Sequence, residues 1–200
     1  MARMAVDDRR EKLVEAAIRV MARDGVAKAT TRAIVAEAGM TLGVFHYCFD
    51  SREQLLQRVT TTITDRTIAA AREVFTSDGG LRAGIRQSLH VFWHGVEANP
   101  GENLIGYELT QYALRNPGLE DVARLQYANY LAAHAEFLEA AAEAAGIEWT
   151  VPVPILARYV NALLDGLTLC WVVDKESEQS TDVLDLLADY LTQNSRPRET

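Results

Sequence analysis

The chain has 200 residues, 48% hydrophobic and 24% charged, with five prolines and twelve glycines. That is the composition of an ordinary globular protein, and a mean hydropathy of −0.07 argues against a membrane protein. The net charge of −8 argues, taken as an average, against a polyanionic partner.

The average hides an asymmetry. Residues 1–60 hold ten Lys and Arg against eight Asp and Glu, a net of +2, and residues 61–200 hold ten against twenty, a net of −10. A mildly basic head and an acidic body suggest two kinds of partner. The N-terminus shows no apolar leader, and Cys48 and Cys170 lie in apolar surroundings. Both features point to a reducing cytoplasm.

Helical periodicity runs through the whole chain, and no useful strand-like alternation appears. The first predicted helix covers residues 7–23, with Leu13, Ala16, Ala17, Val20 and Met21 on one face and Gly25 just past its end. Thr30 is the expected N-cap of a short helix at 31–38 that Gly39 closes. A second short helix at 42–48 follows. Ser51 and Gln54 then have capping-box spacing and open a longer helix toward residue 75.

Further breaks predict helices at 81–98, 100–114, 118–145, about 150–173 and 181–193, with a frayed tail at 194–200. The fold class is therefore all-α with about nine helices. In the last two helices, Leu156, Leu163, Leu167, Leu184, Leu187 and Leu191 repeat at helical spacing. Such stripes either cover the core or form a homodimer interface of four helices.

The two short helices with a glycine turn and a bracing helix before them describe a helix-turn-helix unit. Ile34, Val35, Ala38, Phe45 and Phe49 would face inward, leaving Thr41, Leu42, Val44, His46 and Tyr47 outward. The stretch TTRAIVAEAGMTLGVFHYCFDSREQL, residues 30–55, resembles the DNA-binding signature of the TetR family of transcriptional regulators. Close resemblance covers residues 10–56; downstream only the number and length of helices resemble the family. The sequence departs from the usual pattern at His46 (tyrosine), Cys48 (histidine or tyrosine) and Arg52 (lysine).

The resemblance implies a helix-turn-helix DNA-binding domain at 1–50 and a helical effector-binding and dimerisation domain at 51–200. It implies DNA contacts from Thr30, Thr31, Arg32, Thr41, Leu42, Gly43, Val44, His46, Tyr47 and Arg52. The partners it implies are palindromic double-stranded operator DNA, a second copy of the chain, and a small-molecule effector that releases a repressor.

Aromatic and polar residues in the second domain offer effector contacts, chiefly Trp93, Tyr107, Gln111, Tyr112, Phe137 and Trp171. His90, His94 and Glu97 share a helix face, but no further ligand motif accompanies them, and no metal or cofactor is expected. No nucleophile elbow, P-loop or dinucleotide fingerprint is present. An all-α carrier or enzyme with a merely structural N-terminal unit stands as the alternative.

Overall fold

The computed structural model describes residues 5–198. Residues 1–4, where no leader was read, and the last two residues of the expected tail lie outside them. Among the described residues are nine α-helices: α1 Val6–Asp24, α2 Thr31–Glu37, α3 Leu42–Cys48, α4 Arg52–Glu73, α5 Leu81–Ala98, α6 Pro100–Arg115, α7 Glu120–Ala145, α8 Val153–Asp174 and α9 Ser177–Gln193. The protein is all-α, as the periodicity predicts.

Local chemistry sets most boundaries. Thr30 Oγ1 accepts the Ala33 amide at 3.2 Å and caps α2. Gly39, at φ +65°, ends α2 with paired bonds from its own amide to Ala36 O (3.1 Å) and from Met40 N to Val35 O (2.8 Å). Those two bonds satisfy the last carbonyls, and the left-handed backbone they require favours glycine. Ser51 Oγ accepts the Gln54 amide, while Gln54 Oε1 accepts from the Asp50 amide. The expected cap therefore forms, displaced by one residue on its return arm.

Two expectations fail at the C-terminal end. Ser195–Pro197 is not frayed: it pairs antiparallel with Ile147–Trp149, and Arg198 N donates to Gly146 O. Three-residue strands are too short to leave an alternating pattern in the sequence. The last helix also starts four residues early, at Ser177 rather than Thr181.

The chain divides into two compact units, residues 1–64 with 100–127, and residues 65–99 with 128–200. In the first, α1, α2, α3, α6 and the start of α4 surround a core built on Leu13, Ile34, Phe45, Leu55, Leu56 and Leu109. In the second, α5, α8, α9 and parts of α4 and α7 surround Ile85, Trp93, Leu138, Leu156, Leu184 and Leu187. Arg82 pairs with Asp189, and Arg86 and His90 with Asp185, which ties α5 to α9 along their length.

The leucine stripes resolve accordingly. Leu156, Leu184, Leu187 and Leu191 are at most 2% exposed and belong to the protomer's own core, while Leu163 and Leu167 are half-buried against it. These leucines do not make a free interface. A 3–4 spacing identifies an apolar face but not the neighbour that covers it.

Candidate nucleic-acid interface and ligand cavity

The first three helices build a braced platform. Arg10 Nε donates to Cys48 O at 2.9 Å, closing the C-terminal end of α3 from α1. Arg19 and Arg23 both bond the Glu37 carboxylate and hold α2 to α1. Those two guanidiniums keep the Glu37 carboxyl below the usual carboxylate range. Phe45 and Phe49 are buried beneath α3, with ring centroids 5.7 Å apart.

What remains on the outside is the face of α3. Thr41, Leu42, Gly43, His46 and Tyr47 are exposed, and Val44 is half-buried. Arg32 is exposed on α2, beside a half-buried Thr31. Among the described residues neither Arg32 nor Tyr47 has a hydrogen-bond or ionic partner. The Thr30 hydroxyl already serves the helix cap.

Gly43 is the informative position. A Cβ added there would meet only Thr41 Oγ1, at 3.8 Å, so nothing within the protein requires glycine. Glycine weakens a helix by about 1 kcal/mol relative to alanine. Gly43→Ala is therefore expected to leave the melting temperature equal or slightly raised. If the outward face of α3 meets a duplex, as the resemblance implies, the variant's operator affinity should nonetheless fall in a mobility-shift titration, because the added methyl would stand between the backbone and DNA.

Arg52 departs from its expected place on this surface. Its guanidinium turns inward, donating to Tyr112 Oη at 2.7 Å and to Val26 O and Ala29 O at 3.3 and 3.4 Å. The neighbouring Val26 amide donates to Glu108 at 2.8 Å. Two residues of α6 thus hold the turn between α1 and α2. Arg52 is a brace, and this long-range partnership has no signature in local sequence.

The expected effector residues divide between the two units. Tyr107, Gln111 and Tyr112 lie in the first unit, with Tyr112 engaged by Arg52. Trp93 and Trp171 stack edge-to-face in the core of the second unit, 5.9 Å between centroids. Both indole N–H groups have internal acceptors, Glu97 and Ser177. Of these six, Phe137 alone lines a cavity of that unit, a space of about 50 Å³ among α4, α5, α7, α8 and α9.

The polar residue missed was Ser88, which lines that cavity together with His134, Phe92 and Leu164. Only its polarity on an otherwise apolar helix face could have signalled it. His90 pairs with Asp185 and His94 with Glu97, so the two histidines do not combine. Among the described residues no group of three metal-ligating side chains assembles.

Burial pushes the His134 imidazole down to about 4, opposed in part by its hydrogen bond to Asn161. In the unfolded chain it titrates near 6.5, so between pH 6.5 and 4 the unfolded state binds the extra proton. Stability should fall across that window as pH falls, by about 3 kcal/mol from this residue. Above it His134 contributes no pH dependence. His134→Gln should flatten this part of the profile in urea denaturation against pH.

The comparisons with known proteins fit this division. Residues 13–59 match the family of bacterial regulatory proteins called tetR, and residues 81–195 match the C-terminal domain of BetI-type transcriptional repressors. The chain belongs to the TetR family. It is a DNA-binding transcriptional regulator rather than an enzyme.

A relative, the HTH-type nicotine-responsive transcriptional repressor HdnoR of Paenarthrobacter nicotinovorans, is 29% identical over 187 residues, 94% of this chain and 95% of that protein. A TetR-family regulator from Rhodococcus sp. superposes with a TM-score of 0.78 at 23% identity, covering 92% of this chain and 98% of that one. A transcriptional regulator from Streptomyces coelicolor A3(2) gives 0.70 at 25% identity, with 92% and 99% covered.

Proposed function

We propose that this TetR-family chain is a cytoplasmic repressor that binds a palindromic operator as a homodimer and is released by a small-molecule effector. The observation that carries the reading is the outward face of α3, where exposed residues surround a glycine that the protein itself does not need. Thr41, Leu42, Gly43 and Val44 lie over base edges in the major groove, where Leu42 and Val44 offer apolar contact to a thymine methyl. Arg32 reaches a guanine edge or a phosphate. Tyr47 and His46 hold phosphates, with Thr31 at the start of α2.

Selection from a random duplex pool with the purified protein tests this. The expected outcome is a palindrome whose half-site centres lie one helical turn apart, about 34–36 Å. A folded protein with no sequence preference would favour the carrier or enzyme reading instead.

The dimer face is the outer side of α8. Ile155, Tyr159, Ala162, Gly166, Leu169 and Val173 are exposed and alternate at four- and three-residue steps, the spacing of a packed helix seam. Leu186 of α9 is also exposed, at 66%. By length and hydropathy α8 could also cross a membrane. Its two apolar faces, one in the core and one at a subunit seam, account for that composition without a bilayer. Val173→Glu should give a folded monomer by sedimentation and lower operator affinity steeply; an unaltered dimer would place the interface elsewhere.

A further inference from the structure

We infer that the cavity of residues 65–99 and 128–198 takes a small, uncharged, largely apolar molecule whose single polar group both donates and accepts a hydrogen bond, such as a phenol. This deepens the effector reading above and rests on it for the ligand's regulatory meaning.

The argument begins with what the walls lack. None of the described lining residues is a carboxylate, ammonium or guanidinium, so a charged ligand would lose its water and find no counter-ion. Most of the lining is aliphatic or aromatic, from Ile85, Leu89 and Phe92 on α5 to Phe137 on α7 and Leu164 on α8. Such walls favour an apolar body of about one ring.

Two polar groups interrupt them. Ser88 is 2% exposed, and its Oγ has no hydrogen-bond partner. A helical serine ordinarily satisfies itself on the carbonyl one turn back. A buried hydroxyl without a partner costs about 1–3 kcal/mol, and a ligand atom that pairs with it recovers that cost. His134 supplies the second group, a neutral imidazole already bonded to buried Asn161 and left with a further ring position. A hydroxyl can serve as donor to one of these groups and acceptor from the other. A purely apolar ring leaves both unanswered.

The test uses the full chain and four one-ring probes: p-cresol, toluene, benzoate and benzylammonium. Binding is followed by chemical-shift titration, without DNA. The expected order places p-cresol at least tenfold tighter than toluene, with the two ions weaker than either. Ser88→Ala should reduce the p-cresol advantage several-fold while melting no lower than the parent, since it removes an unpaired buried hydroxyl. His134→Leu gives a second, independent loss of the same advantage.

Equal binding of either ion, an unchanged p-cresol preference in folded Ser88→Ala, or no binding of p-cresol up to its solubility would each overturn the inference. Release of operator is measured separately with the same probes. A probe that binds through Ser88 yet leaves the DNA complex intact upholds the ligand class and sinks the effector reading.

Discussion

Phe45→Ala should lower the unfolding free energy by about 3–5 kcal/mol, the range for removing a fully buried aromatic ring. Phe45 is 2% exposed and lies in the core of the first unit, packed edge-to-face with His46 and tilted against Phe49. With only seven residues and no side-chain cap at its N-terminus, α3 relies on this packing and on the bond from Arg10 to Cys48 O. A helix of two turns is unstable alone and depends on such packing. Operator binding should therefore fail together with stability, and urea denaturation should show both losses in one variant. If operator affinity survives with the lower stability, α3 is not the element presented to DNA.

Arg32→Ala should have the opposite character. Arg32 is exposed and touches no described residue by hydrogen bond or ion pair, so its removal should leave the melting temperature within a degree or two. A bidentate guanidinium–guanine contact contributes about 1–3 kcal/mol of discrimination, or roughly 5- to 150-fold in affinity. A paired titration against operator and scrambled duplex separates the alternatives. Loss confined to the operator marks base readout; an equal loss on both duplexes marks a phosphate contact; no loss removes Arg32 from the interface.

The contrast between these residues explains what could be read early. Phe45 and Arg32 fall on opposite faces of short helices whose ends are marked by Thr30, Gly39 and Ser51. Caps and periodicity are local, so the inward and outward assignments in residues 30–50 follow from neighbours in the chain. Gly43 is legible as an oddity, but its meaning needs the space around it: only the fold reveals that a methyl group there would meet nothing beyond its own helix backbone except Thr41 Oγ1, at 3.8 Å.

Arg52 shows the limit of local reading. Its position resembles a phosphate-binding site in sequence, whereas its partner Tyr112 lies sixty residues away on α6. The aromatic residues expected around an effector fail for the same reason. Spacing along one helix places Trp93 and Trp171 on apolar faces, but it cannot say that they face each other and leave the cavity to Ser88, His134 and Phe137.

The charge that first argued against nucleic acid also changes meaning when the fold groups the residues. Residues 1–64 with 100–127 carry twelve basic and twelve acidic side chains, and the remaining residues carry eight and sixteen. The head is thus neutral overall and the whole net charge of −8 lies in the other unit, so DNA affinity must depend on placed contacts and on dimerisation more than on bulk charge. The helices, their caps and the outward face of α3 are written locally in the chain, because each depends on residues within a turn or two. Which leucines are core, where Arg52 points and what lines the cavity emerge with the fold, because those outcomes depend on partners from distant helices that no local period encodes.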